Sequence, residues 1–486
     1  MSEEIKKLEP KIVWENFYQL TQIPRPSKHE AAAVEYLKKF GQNLGLETIV
    51  DEVGNVIIRK PATPGMENRK GIILQGHLDM VPQANSHVKH DFEKDPIDAY
   101  IDGEWVTARD TTLGADNGMG VAATMSVLQS KDLQHGPIEA LLTIDEETGM
   151  TGAFNLKPGI LKGDILINLD SEDEGELYVG CAGGEDANAV FQAKLENIPS
   201  DSEACAIAVQ GLKGGHSGMD INLGRGNANK IMFRLLKQLH TKYSIHIGYL
   251  SCGSLRNAIP REAFVTFYTP KGTLQDITKD VAKFEKIIKS ELEKTEPAVT
   301  IAISNPESIK SVIDFDTQTR LINAVLASPN GVIRMSDSMP GLVETSINLA
   351  IVKTENDKIY IQSLMRSSVD TARAALAQSV AAVFELAGAE IEFRGGYPGW
   401  KPNMDSAILK TMQQTYKDLY GHEPAIKAIH AGLECGILGG IYPNWDMISF
   451  GPTIRSPHSP DEKVKIDTVQ KFWDFLKATL KNVPVK

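Results

Sequence analysis

The chain has little cysteine, no surplus of positive charge and no long apolar run, and each lack removes a class of protein. Its 4 cysteines (Cys181, Cys205, Cys252 and Cys435) are scattered and form no CxxC pair. Neither a disulfide framework nor a zinc ribbon can be built from them. Acidic residues outnumber basic ones, 63 to 51, for a formal net charge of −12. Nucleic acid and anionic membrane surfaces are therefore poor partners. No apolar stretch is long enough to span a bilayer, and Met1-Ser2-Glu3-Glu4-Ile5-Lys6-Lys7 contains no apolar core of a secretory leader. A cytoplasmic location is the expectation. The glycine-rich stretch at 111–120 has neither GxGxxG nor GxxxxGK[ST], so it is weak support for a nucleotide site.

What is present is a repeated pattern of apolar strands that end in chemistry. Gly71-Ile72-Ile73-Leu74-Gln75-Gly76-His77-Leu78-Asp79 begins as a short β-branched run, as a buried strand of a mostly parallel sheet does. His77 and Asp79 then fall on same-side positions. Alone, this stretch reads equally well as one capped strand with a polar loop. Three others repeat it. Ala140-Leu141-Leu142-Thr143-Ile144 runs into Asp145-Glu146-Glu147, and Asp164-Ile165-Leu166-Ile167-Asn168-Leu169 runs into Asp170. Met447-Ile448-Ser449-Phe450-Gly451 leads through a Pro-rich loop to His458. In open α/β sheets, ligands gather outside the carboxyl ends of strands. Asp116, where the 111–120 stretch enters an apolar helix at about 121–128, reads either as a cap or as a further member of this acidic group.

At 486 residues the chain has room for two or three domains. Residues 13–45 read as two helices, with Ser27 as an N-cap and Glu30 as its capping-box partner. From about 186 the character changes to strand-rich segments broken by helices near 227–240, 276–294 and 369–387. Two successive halves of this kind suggest an α+β insertion, conceivably a pair of related units. Since His458 must rejoin the first strands to complete a site, the expected division is a catalytic domain of 1–185 and 396–486 with an inserted lid at 186–395.

The inventory at the strand ends is His77, Asp79, Asp116, Glu146, Glu147, Asp170 and His458. Imidazole with carboxylate suits zinc, or less selectively manganese or cobalt, and without a thiolate a closed structural zinc site is disfavoured. These are too many donors for one four-coordinate ion with an open position. They suit two ions sharing a bridging carboxylate, which is a hydrolase design.

Gly76-His77-Leu78-Asp79, Gly114-Ala115-Asp116-Asn117-Gly118, Asp145-Glu146-Glu147-Thr148-Gly149, Asn168-Leu169-Asp170-Ser171-Glu172 and Pro457-His458-Ser459-Pro460 resemble the signature blocks of the M20 metallopeptidases. Within that family, the length and the surroundings of His216 and Glu434 are similar to those of the bacterial aminoacyl-histidine dipeptidases. The resemblance implies an α/β catalytic domain of the di-zinc exopeptidase type, with a mostly parallel central sheet and an inserted α+β lid. It implies two zinc ions per chain, manganese or cobalt being possible substitutes. Asp116 would bridge them, with His77 and Asp170 completing one site and Glu147 and His458 the other. Glu146 would be the general base, and Asp79 would steady the His77 imidazole. His216, in Gly214-Gly215-His216-Ser217-Gly218, would steady the oxyanion. The bond after the bridging aspartate, Asp116–Asn117, would be cis.

Arg366 reads either as a surface arginine or as a fork for a substrate's terminal carboxylate, with Asn257 assisting. Glu434 reads as a partner for a substrate amine. The expected activity is hydrolysis of dipeptides with free termini, Xaa-His among them, and the rival is an N-acyl amino acid deacylase or carboxypeptidase. Expected partners are small peptides and a second copy of the chain, paired through the lid. A two-metal phosphoesterase would need extra Lys or Arg near the strand ends, and a non-catalytic metal protein would have no use for Glu146.

Overall fold

The structure, a computed structural model, describes residues 3–486. It divides into two compact units: Met1–Gly180 with Trp400–Ala428 and Leu433–Lys486, and Cys181–Gly399 with Ile429–Gly432. The division lies a few residues outside 186 and 395. The strand Gly183–Gln192 pairs wholly within the second sheet, and Tyr397 pairs there with Gly184.

The first unit is built on an eight-stranded sheet. In spatial order its strands are Glu47–Val50, Val56–Lys60, Ile138–Thr143, Ile72–His77, Ile165–Asn168, Asp446–Ser449, Glu176–Cys181 and Ala425–Ile429. The strands Ile138–Thr143, Ile72–His77, Ile165–Asn168 and Asp446–Ser449 run parallel and form its centre. Antiparallel pairs flank them. Every residue of Ile72–His77 and Ile138–Thr143 is buried, which is why the apolar runs are continuous rather than alternating. Each fully buried Ile or Leu contributes about 1.5–3 kcal/mol.

Toward their carboxyl ends these strands change from apolar to polar on one face. His77 lies level with Thr143, and Gln75 level with Asn168. With a side-chain period of two, Asp170 then falls beside His77.

The helix Ala115–Gln129 is buried from Ala115 to Leu128, as a helix apolar on all sides must be. It begins earlier than the expected start near 121, after Gly114 at φ 70°. Asp116 and Asn117 depart from helical angles, and the peptide bond between them is cis. The stretch that reads only as polar in the sequence contains a hairpin, Ala99–Asp102 and Trp105–Ala108. The hairpin pairs with Lys463–Lys465, which pairs in turn with Ile454–Arg455. This small sheet anchors the segment carrying His458.

Ser27 does not cap a helix. The helix is Ala31–Asn43 with Glu30 at its N-cap, and the Ser27 hydroxyl donates instead to Asp79 Oδ2 at 2.8 Å. Asp79 is fully buried, and a buried carboxylate must find donors.

The second unit is a nine-stranded sheet with helices Ala228–Tyr243, Leu274–Glu291, Phe315–Ala327 and Asp370–Leu386. The strands from 202–304 form one half, and those from 183–192 and 343–397 form the other. The halves join through a short pairing of Ser251 and Cys252 with Lys353 and Val352. The helix Phe315–Ala327 and the strand Gly331–Met335 are additions to the expected elements. Among the described residues no helix is long and apolar enough to cross a membrane.

Two glycines let the buried helix approach the sheet. A Cβ on Gly120 would run into the Leu169 carbonyl oxygen, and one on Gly76 into Asn117 Oδ1. Gly120→Ala should therefore push the helix off the strand that leads to Asp170, destabilising the protein by about 1–3 kcal/mol as overpacking does. Thermal unfolding checks this; an unchanged melting temperature contradicts it.

Candidate metal centre

The parallel strands present their acids and imidazoles at or beyond their carboxyl ends to one place. His77 Nε2 lies 3.0 Å from Asp116 Oδ1 and 3.4 Å from Asp170 Oδ1. On the other side of Asp116, Oδ2 lies 3.2 Å from His458 Nε2, which is also 2.9 Å from Glu147 Oε2. One carboxylate thus faces two imidazoles, one oxygen each. Ligand atoms of His77, Asp116 and Asp170, and of Asp116, Glu147 and His458, come within 4.8 Å of one another, and those of His77, Glu146 and Glu147 do so too.

The His77 ring is oriented from behind. Its Nδ1 is 3.2 Å from the Asp79 carbonyl oxygen and 3.4 Å from Asp79 Oδ1. Once the Nε2 proton is lost, the proton left on Nδ1 is held by these oxygens and the Nε2 lone pair faces the cluster. The Asp79 carboxylate itself accepts the Glu146 and Glu147 backbone N–H groups at 3.0 and 3.1 Å. It therefore holds the acidic turn as well as the imidazole. The buried group Glu30, Asp79 and Asp145 is satisfied by protein donors. Glu30 accepts from Lys28 N and Asp145 N, and Asp145 accepts from the Thr148 and Thr151 hydroxyls. It braces the turn.

Electrostatics favour positive charge at both triads. Burial works against a charged His77, yet Asp170, Asp116 and Asp79 together raise its pKa well above the usual imidazole value. Hydrogen bonds to Asp116 and Glu147 raise His458 to about 11. Burial pushes Asp170 up to about 7, with His77 opposing and Asp116 and Glu147 adding repulsion. Burial also raises Glu146 well above the usual carboxyl value, helped by Asp170, Glu434 and Glu147. Glu147 Oε1 and Asp170 Oδ1 are buried with no hydrogen-bond partner. Orphaned carboxylate oxygens beside two imidazoles fit a pair of divalent cations, which would supply the missing partners.

Glu434 lies beneath this cluster. Its Oε2 accepts from Gln75 Nε2 at 2.6 Å and the Thr143 hydroxyl at 2.8 Å, while its buried Oε1 has no partner. Gln75 Oε1 in turn accepts from Asn168 Nδ2. In the second unit, His216 Nδ1 accepts the Gly218 and Met219 backbone N–H groups. Burial and then the Arg366 charge lower the His216 pKa. The ring is thus neutral, with its proton on Nε2. Arg366 is 5 % exposed, on the strand Lys358–Ser367, and donates to the Tyr397 hydroxyl and Ser217 Oγ. Asn257 is exposed next to Ala258, which pairs with His216.

Sequence reasoning passed over three buried groups. Arg25 donates to the carbonyls of Leu78, Asp79 and Gly114. Glu462 accepts backbone N–H groups from Leu113 to Asp116. His430 bonds Ser346 through Nε2, and burial followed by the Arg366 charge lowers its pKa to about 3. The spacing Pro24-Arg25-Pro26 and the place of Glu462 soon after His458 were the available signals.

A family model described as peptidase family M20/M25/M40 matches residues 73–482. The cytosol non-specific dipeptidase of Escherichia coli (strain K12) is 44% identical over 483 residues, 99% of this chain and 100% of that protein. The crystal structure of aminoacylhistidine dipeptidase from Vibrio alginolyticus superposes with a TM-score of 0.94 at 51% identity, covering 100% of this chain and 99% of that one. An aminopeptidase PepT structure from Bacillus cereus, at 16% identity and TM-score 0.58, covers 98% of this chain and 99% of that one and shares the fold.

Because the pKa values of both imidazoles and of Asp170 are raised, these groups carry protons near neutrality that a bound cation must displace. Ion binding should therefore release protons, and affinity should climb as pH rises from about 6 to about 8. Calorimetry in buffers of different ionisation enthalpy reads the proton release. Binding without proton release across that range contradicts the assignment.

Proposed function

The chain belongs to peptidase family M20/M25/M40, and from that premise we propose that it is a metal-dependent dipeptidase acting on dipeptides with free termini, Xaa-His dipeptides included. The observation that carries this reading is Asp116, shared between His77 and His458 with Glu146 alongside. The names of its full-length relatives support the same activity.

His77 and Asp170 would hold one ion and Glu147 and His458 the other, with Asp116 between them. The donor set suits zinc, with manganese or cobalt as substitutes. Bound there, the ions would polarise the scissile carbonyl and make the attacking water more acidic. Glu146 takes the water's proton and hands it to the leaving amine; its raised pKa suits a group that must hold a proton between two steps. Asp79 fixes the backbone of Glu146 and so aims that carboxylate. His216, neutral and protonated on Nε2, is suited to donate to the developing oxyanion. Arg366, held by Tyr397 and Ser217, grips the substrate's terminal carboxylate, with Asn257 assisting. The free Oε1 of Glu434 receives the substrate amine. An amine receptor favours dipeptides over N-acyl amino acids, whose nitrogen carries no charge.

Residues 181–399 would act as a lid and as the surface of a homodimer. Support comes from the edge strand Gly331–Met335, where Ile333 and Met335 are 45% and 43% exposed. The cytoplasm is the proposed location, in keeping with the name of the Escherichia coli relative.

Glu146→Ala should keep two ions per chain and lose turnover of dipeptides by roughly 10²–10⁴-fold, the contribution of a general base. Metal analysis beside turnover of Xaa-His dipeptides, tripeptides and N-acetyl amino acids tests this. Full dipeptide turnover in the variant, or a wild-type preference for N-acetyl amino acids, would overturn the reading.

A further inference from the structure

We propose that Glu462 is the positioning residue that sets Asp116 for use by both imidazoles. Glu462 Oε2 accepts the Leu113 and Gly114 N–H groups at 2.8 and 2.9 Å. Its Oε1 accepts those of Ala115 and Asp116 at 2.8 and 3.1 Å. All four N–H groups from Leu113 to Asp116 therefore end on one side chain. That side chain is 2 % exposed.

Consecutive N–H groups curled around one anion form a nest, and at the start of a helix the peptide dipoles add to the attraction. The arrangement does more than cap. Asp116 and Asn117 lie off helical angles, so the helix ladder does not fix the Asp116 backbone. Glu462 does so instead. The carbonyl side of the same segment is held by Arg25, which donates to Gly114 at 2.6 Å and to Leu78 and Asp79 at 2.8 and 3.0 Å. A Cβ on Gly114 would meet Arg25 Nη2 at 2.7 Å and Met80 Sδ at 2.9 Å, so the clamp closes only over glycine.

Glu462 also reaches the other side of the centre through its own backbone. Its N–H bonds the Ser459 carbonyl, one residue beyond His458, and its carbonyl accepts the Thr107 hydroxyl at 2.7 Å. The strand that follows it, Lys463–Lys465, pairs with Trp105–Ala108. One residue thus ties the His458 loop to the Asp116 segment, and the 3.2 Å separation of His458 Nε2 from Asp116 Oδ2 depends on it.

This inference rests on the proposed function through the shared role of Asp116. The test is zinc titration of metal-free protein against a chromophoric chelator, with melting temperature and dipeptide kinetics measured in parallel. Glu462→Gln has the same length but turns an NH₂ toward N–H donors. It should bind zinc about 10–100-fold more weakly and lose kcat with little change in KM. Glu462→Asp keeps the charge and both oxygens, and should recover part of the affinity and kcat. Should Glu462→Gln fail to fold, weaker zinc binding by a folded Glu462→Asp carries the test in the same direction. Wild-type zinc affinity and kcat in the folded variants, whatever their melting temperature, would overturn the proposal. Wild-type protein that binds no zinc pair would instead overturn the proposed function.

Discussion

One carboxylate must face two imidazoles at once, and the rest of the first unit is arranged around that demand. Asp116 offers one oxygen to His77 and the other to His458. These three residues come from a strand end, a helix start and a C-terminal loop, so no local sequence can place them together. The parallel strands do the coarse positioning. Their buried apolar runs fix the register, and the register sets which side chains emerge side by side at the carboxyl end.

Fine positioning is done by buried hydrogen bonds to backbone rather than by packing. Arg25 and Glu462 hold the carbonyls and N–H groups around Asp116, and Asp79 holds the N–H groups of Glu146 and Glu147. Buried charges are costly unless every donor and acceptor is used, and here most are. Among the described residues, the buried carboxylate oxygens left without a partner are those of Glu147, Asp170 and Glu434, and Arg25 Nε is also without one.

The coarse architecture was legible because buried parallel strands write continuous apolar runs, and the polar residues that end them stand out. His77, Glu146, Glu147 and Asp170 were visible on that basis alone. Asp116 was ambiguous, since an acid at a helix start also reads as a cap. Glu462 and Arg25 were not legible, because a charge buried against backbone partners looks like a surface charge in sequence. Ser27 was misread for a related reason: the local capping pattern was real, but the buried Asp79 carboxylate took its hydroxyl. The hairpin at 99–108 was missed because its short strands are joined by polar turn residues. The helix Phe315–Ala327 was missed because its first turns are largely polar.

Asp116 is proposed to be shared between two metal ions. Anomalous diffraction at the zinc edge from zinc-loaded crystals tests it most directly. Two peaks about 3.5–4 Å apart are expected. Each should lie about 2.0–2.2 Å from a different Asp116 oxygen. A single peak, or two peaks with no Asp116 oxygen between them, would contradict it.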